Sequence, residues 1–314
     1  MIRPITNICV ATYNQRNLIE ICLRSILDQE VDADVQVLVG DDASTDGTSE
    51  IIGMLAIEYG VRLRHFRRDT NIGAIANMRD LIAIAEGDYI ARVDGDDYWL
   101  PGKLAQQIGF LRDHPDCNAV YTNAITVDEN NERIGLFNDI GDARIDLPAL
   151  LRRGNFLNNS SILFRAANAS GWRNATEQID YQVHLWQART GWLGHIGEPL
   201  CAYRVSTRGS MVASTNERVR ELYWQAIQSV PRDLVSNDDY AHGIADFLRR
   251  VFFRSVRARD PSLLRAWMPR VYAVSPYGTW RTTALVTANI GRMLWKTLAG
   301  YLRGPRHRHV LYRR

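Results

Sequence analysis

Three carboxylates inside four positions, Asp94, Asp96 and Asp97, follow an isolated basic residue, Arg92, in the stretch RVDGDDYW (92–99). Carboxylates that close raise one another's pKa unless positive charge sits among them. A hard divalent cation answers that need. Magnesium or manganese takes oxygen ligands, few of them carboxylates, and leaves room for substrate phosphates. Gly95 opens the turn that lets at least one of the three face such an ion. Asp41 and Asp42 form a second acidic pair, suited to accept hydrogen bonds from a base or a ribose. Thr12 and Asn14 mark a third polar cluster. Each cluster also has a purely structural reading, as an Asp-rich turn or as a helix N-cap worth about 1 kcal/mol.

The elements that must position these clusters recur in order. NICVA (7–11) is a short apolar run ending in TYN, and a helical pattern follows with Leu18, Ile21, Cys22, Ser25 and Ile26 on one face. VQVLVGDD (35–42) is a near-continuous apolar run, and the next stretch reads as a helix capped by Ser44 or Thr45. VRLRHF (61–66) alternates as a strand, GAIANMRDLIAIAEG is helical, and DYIARVDGDD runs from a strand into the acidic cluster. A helix with Pro101 near its first turn and Pro115 beyond its end comes next. Strand followed by helix, four times over, predicts a mostly parallel sheet with helices on both faces. Ligands of such sheets bind beyond the carboxyl ends of the strands, which is where all three polar clusters fall. CNAVYTNAITVD and SSILFR then read as strands, 176–191 as a helix and GHIGEPLCAYRVS as extended chain. Beyond residue 210 the pattern is almost wholly helical, with no strand.

No GxGxxG follows the first strand and no GxxxxGK[ST] is present, which argues against dinucleotide-binding and P-loop folds. A sugar-phosphate nucleotidyltransferase would want a glycine-rich basic loop where ATYNQRN stands. The stretches ICVATYNQRNLIEICLRSILDQ, VQVLVGDDASTDGT, NIGAIANMRDLIAIAEGDYIARVDGDDYW and PGKLAQQIGFL, in that order, resemble family 2 glycosyltransferases of the GT-A fold. The GDDYW wording is similar to a subgroup that assembles bacterial surface polysaccharides. The resemblance covers about residues 5–210. It implies an α/β domain over 1–210, Rossmann-like with a mostly parallel central sheet, followed by a basic, mainly helical region over 211–314. The implied activity is an inverting, metal-dependent transfer of a sugar from a nucleoside-diphosphate sugar to a hydroxyl of a glycan acceptor.

Residue by residue, the resemblance places Ala11, Thr12 and Tyr13, with Asp41 and Asp42, in the nucleotide pocket. Asp96 is the implied first ligand of Mn2+ or Mg2+. Asp94 falls on the ribose or on the metal and its water, and Asp97 on the donor sugar or the loop. Inverting members carry a catalytic carboxylate at the start of a later helix, commonly in a Glu-Asp pair. Here QIDYQVHLW holds that place, so Asp180 is the implied base, with Ile179 in place of the usual Glu and Glu177 one turn earlier as the substitute. Arg204 and Arg208 of CAYRVSTRGSM, beside Tyr203, are implied diphosphate contacts, and Ser206 stands where a His is frequent. Asn158, Asn159 and Tyr181 fall on the acceptor side. Arg92 and Arg67 either neutralise donor phosphate or sit on the surface. The donor is expected to be a UDP-sugar ahead of a GDP- or dTDP-sugar, and the acceptor a glycan, free or linked to a polyprenyl diphosphate. A catalytically silent nucleotide-binding scaffold of a polysaccharide complex is the alternative from another class, and turnover of a donor separates the two.

The net charge of +3 conceals an asymmetry. Residues 211–314 hold 18 Arg or Lys against 7 Asp or Glu, whereas residues 1–210 hold 20 against 28. Arg281, Arg292, Lys296 and Arg303 line one helical stripe beside Val286, Ile290, Met293, Leu294 and Tyr301. Arg306, Arg308, Arg313 and Arg314 extend the charge. Such a segment, over 281–314, suits an anionic membrane surface or a homodimer contact. No nucleic-acid motif accompanies it, so no nucleic-acid partner is expected. The four scattered cysteines, Cys9, Cys22, Cys117 and Cys201, point away from disulfides and zinc and toward a reducing compartment. No apolar run reaches the ~18 residues of a spanning helix, and the first apolar run is too short for a signal peptide. The expected location is cytoplasmic, or peripheral on the inner face of the membrane.

Overall fold

The computed structural model describes residues 3–173, 179–205, 217–302 and 310–312. Strand and helix alternate from the start: β1 (Ile5–Thr12), α1 (Ile19–Leu27), β2 (Asp34–Asp41), α2 (Thr48–Tyr59), β3 (Leu63–Arg67), α3 (Ala74–Ile84) and β4 (Tyr89–Asp94). β3, β2, β1 and β4 lie side by side in that order, all parallel. The strand period sorts their side chains to two faces. Ile8 and Val10 pack with Ile19, Cys22 and Ile52 of α1 and α2, while Cys9 and Ala11 pack with Met78, Leu81 and Ile82 of α3.

The chain then forms β5 (Tyr98–Trp99), α4 (Lys103–Asp113), β6 (Cys117–Val127), β7 (Arg133–Asn138), β8 (Ala143–Ile145) and α5 (Leu147–Arg153). After them come β9 (Leu163–Arg165), α6 (Ser170–Arg173), α7 (Asp180–Gln187) and β10 (Trp192–Arg204). β9 enters antiparallel between β4 and β6, and β10 runs parallel beside β6. The result is a mixed sheet whose parallel core has helices on both faces, as the sequence predicts. The four cysteines are buried and free.

Two local expectations shift. The second helix begins at Thr48, later than Ser44 or Thr45, with Gly47 at φ 98° as its N-cap. Ser44 and Thr45 are taken by the tip of β1 instead. The Asn14 amide donates to Ser44 Oγ at 3.0 Å, and the Thr45 amide donates to Asn14 Oδ1 at 2.8 Å. The helix expected over 176–191 is described as Asp180–Gln187, and residues 174–178 lie outside the described ones.

The last third adds α8 (Glu217–Gln228), α9 (Asn237–Ala258), α10 (Ser262–Val274), α11 (Thr279–Leu302) and β11 (Val310–Tyr312). A reciprocal capping box between Ser236 and Asp239 starts α9. Gly243 lets that helix approach α5 closely, since a Cβ there would lie 2.8 Å from Leu151. Trp224, Phe247 and Trp267 form an aromatic knot with ring centroids 4.9–6.0 Å apart. It belongs to the same apolar cluster as Leu150 of α5 and Leu81 of α3. Trp267 is fully buried, so Trp267→Ala is expected to cost about 3–5 kcal/mol, read as an earlier midpoint in urea unfolding.

The expectation of no strand beyond residue 210 is corrected. β11 pairs in parallel with β7, Val310 opposite Leu136 and Tyr312 opposite Asn138. Three residues are too few to register a period, and the edge of β7 is what makes them a strand. Among the described residues no helix is long and apolar enough to cross a membrane.

Candidate active site

Register carries the polar clusters to one place. Thr12 stands opposite Asp41, and Ala11 opposite Asp94. The tips of β1, β2 and β4 therefore meet where the strand order reverses, the position at which open α/β sheets bind ligands. A cavity of about 880 Å³ opens there, a volume typical of small-molecule sites. Ala11, Thr12, Tyr13 and Asp42 line it together with the acidic loop 94–97, and Asn158, Asn159 and Asp180 line it from the second half of the chain.

The two carboxylates ending β2 part company. Asp42 reaches the cavity and is held there by the amides of Ile72 and Gly73, both donating at 2.8 Å. Asp41 does not line the cavity. It is fully buried, accepts from the Ser44 amide at 2.9 Å and from Ser49 Oγ, and lies 3.7 Å from His65 Nε2. Burial pushes its pKa up, but the neighbouring His65 ring and the hydrogen bonds from Ser44 and Ser49 win and hold it below the ordinary carboxylate range. β2 ends at Asp41, and Asp42, the first residue beyond it, is the one that reaches the cavity.

The acidic loop shows why it needs positive charge. Asp97 is buried, with Oδ1 accepting from the Arg204 amide at 2.8 Å and Oδ2 without a hydrogen-bond partner. Burial, then the charges of Asp96 and Asp94, raise its pKa well above the ordinary value. Asp94 is answered by Arg92, whose Nη2 donates to Oδ1 at 2.6 Å, while Asp96 lines the cavity. An all-oxygen set with one orphaned buried carboxylate oxygen fits a hard divalent cation. Among the described residues no group of three His, Cys, Asp or Glu stands ready to hold a metal ion. Arg204 braces the loop: its guanidinium donates to the carbonyls of Asp96 (3.0 Å) and Asp128 (2.5 Å) and to Asn131. Three of its donors hold protein in this way, and the residue also lines the cavity. Arg67 donates to the Ser44 carbonyl at 3.3 Å. Arg208, Ser206 and Glu177 lie outside the described residues.

Asp180 opens α7, where the positive end of the helix favours a carboxylate. Its Oδ1 accepts from Asn159 Nδ2 and, at 3.3 Å, from Arg92 Nη1. One buried guanidinium thus bridges the acidic loop and Asp180. Burial raises the Asp180 pKa, the Arg92 charge pulls it down and the Asp94 charge raises it again, with a net rise. The product is a carboxylate more basic than its counterpart in water, which suits a general base. Were Asp180 the base, it would have to be deprotonated to act, and the rate would fall as pH drops through this raised pKa. Arg92→Gln removes the charge that pulls it down. The acid limb of kcat/KM is then expected to move to higher pH by about one unit, and an unmoved limb would refute the tuning.

Asn158 is buried with both side-chain polar atoms unpartnered, and it lines the cavity. Tyr181, expected beside it, is a support: its ring stacks on Tyr223 at 4.4 Å and its hydroxyl donates to the Leu150 carbonyl at 3.4 Å. Motif order gave no hint of Tyr223 of α8, Arg250 of α9 or Tyr312 of β11, which complete the cavity wall. No motif marks them, since they arrive through the packing of the last third of the chain.

A family model described as Glycosyl transferase family 2 matches residues 7–179. An uncharacterized protein of Mycobacterium tuberculosis is 31% identical over 217 residues, 68% of this chain and 62% of that protein. The match spans less than two thirds of that relative's length. The Escherichia coli protein named UDP-Glc:alpha-D-GlcNAc-diphosphoundecaprenol beta-1,3-glucosyltransferase WfaP is 32% identical over 107 residues, 34% of this chain and 41% of its own. Among solved structures, S. aureus TarS 1-349 in complex with UDP-GlcNAc aligns with a TM-score of 0.67 at 17% identity, covering 96% of this chain and 88% of that one. The mannosyltransferase PcManGT from Pyrobaculum calidifontis, in complex with GDP-Man and Mn2+, aligns with a TM-score of 0.58 at 19% identity, covering 98% and 85%. At such identities the structures bear on the fold alone, and it is the GT-A fold expected from the sequence.

Proposed function

Because the chain belongs to glycosyl transferase family 2, we propose that it is an inverting, metal-dependent transferase that moves a sugar from a nucleoside-diphosphate sugar to a hydroxyl of a glycan acceptor during assembly of a bacterial surface polysaccharide. The observation that carries this reading is Asp180 facing the same cavity as the acidic loop, tied to it through Arg92. Residues 1–210 form the transferase domain in this reading, and the helices after it complete the acceptor wall.

Asp42 receives the nucleoside, with Ala11 and Thr12 shaping the floor. Asp96 and Asp94 would hold Mn2+ or Mg2+, with the unpartnered oxygen of Asp97 in the same loop. The ion, when bound, supplies positive charge against the diphosphate. Arg92 adds a fixed cation beside the same loop, positioned before reaction so that no reorganisation is needed. Asn158 and Asn159 orient the acceptor. Asp180 takes the proton of the acceptor hydroxyl as its oxygen bonds to the anomeric carbon. The bond from that carbon to the diphosphate breaks, and the nucleoside diphosphate leaves with the electron pair. One displacement inverts the anomeric configuration.

The name of WfaP, which prints UDP-Glc and diphosphoundecaprenol, supports a UDP-sugar donor and a polyprenyl-diphosphate-linked acceptor. The test is release of nucleoside diphosphate from UDP-, GDP- and dTDP-sugars with manganese or with EDTA. Release from one donor class, stopped by EDTA, is expected. Binding without turnover of any donor would replace the transferase by a silent scaffold.

A further inference from the structure

α4 buries two long polar side chains one turn apart. Lys103 and Gln107 are fully buried beside Leu104, Ile108 and Leu111. Burial lowers the Lys103 pKa to about 7, and a leucine or methionine pair would fill the same space without that desolvation cost. Their polar atoms are all used. Lys103 Nζ lies 3.8 Å over the Trp99 ring and donates to Gln107 Oε1 at 2.6 Å. Gln107 Nε2 donates to the Val120 carbonyl of β6 at 2.9 Å and to the Ser161 carbonyl at 2.8 Å. Trp99 Nε1 donates to the Ser160 carbonyl at 3.0 Å. A buried network with every member satisfied fixes one arrangement of the backbone it holds.

That backbone is the short 3-10 turn Asn159–Ser161. Its carbonyls at Ser160 and Ser161 face the buried network, and its side chains serve the site. Ser160 Oγ accepts from the Asp94 amide at 3.2 Å, and Asn159 Nδ2 donates to Asp180 Oδ1. Asn159 and Ser160 line the cavity, whereas Trp99, Lys103 and Gln107 stand behind it. We propose that Trp99 and Gln107 are positioning residues: they hold the turn so that Asn159 keeps Asp180 in register with the acidic loop. The inference rests on the transferase reading and adds to it the stretch PGKLAQQIGFL, whose two buried polar residues have no part in the chemistry itself. Arg204 braces the acidic loop independently, through the Asp96 carbonyl and by its own amide to Asp97. Loosening the turn therefore displaces Asp180 and leaves donor binding in place.

The test is steady-state kinetics of Trp99→Phe and Gln107→Glu in the full chain, together with amide hydrogen exchange at Asp94. Trp99→Phe keeps a ring beneath Lys103 and loses the bond to the Ser160 carbonyl. Gln107→Glu keeps the volume and an oxygen for Lys103, and loses both donors. Each is expected to lower kcat about 30-fold, on the scale of a misplacement of about 1 Å, with the donor KM within about twofold. The Asp94 amide is expected to exchange about tenfold faster, while amides of β1 and β2 keep their protection. A side chain that only fills the core lowers the thermal midpoint and leaves the kcat of folded protein and the Asp94 amide as they were. That result in Trp99→Phe, the milder change, would overturn the proposal. An unaltered chain that turns over no donor defeats the transferase reading instead, and unchanged Asp94 exchange in the variants then overturns the proposal on its own.

Discussion

Asp180→Asn is expected to lower kcat about 10³-fold, within the range that a positioned base contributes, while donor affinity stays within about twofold. The argument is geometric. An asparagine in this position keeps the volume and still offers an oxygen to Asn159 Nδ2 and Arg92 Nη1, the two groups that now hold Asp180. Arg92 keeps its second partner, Asp94, so the acidic loop is not disturbed. What is lost is the lone pair that takes the acceptor's proton. Single-turnover assays with saturating donor isolate the chemical step. A rate within tenfold of the original would remove Asp180 as the base. A residual rate that disappears only when Glu177→Gln is added would move the role to the earlier carboxylate.

The second large effect is expected at the other end of the reaction. Asp96→Ala should abolish the stimulation of UDP binding by manganese, with affinity falling about 100-fold to the level the unaltered protein shows in EDTA. Arg92 answers Asp94, while the buried Asp97, with an unpartnered oxygen, feels the charges of Asp96 and Asp94. Removing Asp96 relieves that repulsion, so the loop is expected to stay folded and the loss of binding to be specific to the metal. Calorimetry of UDP and GDP, with and without manganese, on both proteins is the measurement. Equal binding with and without metal in the unaltered protein would end the carboxylate–metal–diphosphate reading.

Much of the frame is local and therefore legible in the chain. The strand ends at Thr12 and Asp94, and Asp42 just beyond β2, are set by near-continuous apolar runs that end in polar residues. The intervening helices are set by period 3.6, and alternation of the two forces parallel strands with their carboxyl ends on one rim. Arg204 was less accessible. Its type and position suited a phosphate, and only the approach of β10 to the acidic loop shows its donors bound to the Asp96 and Asp128 carbonyls.

The acidic loop and a mostly parallel α/β sheet were thus legible in residue types and spacings within single elements, whereas the GT-A assignment and the place of Asp180 came from the family resemblance. Tertiary structure alone decided how they act together. Arg92 and Asp180 stand 88 positions apart, yet one guanidinium joins base and loop. Tyr223, Arg250 and Tyr312 close a cavity whose floor is built by the first hundred residues. The reason is physical: periodicity records which side of an element faces the core, whereas a pairing between distant elements depends on how their packed faces meet, and no local pattern carries that information.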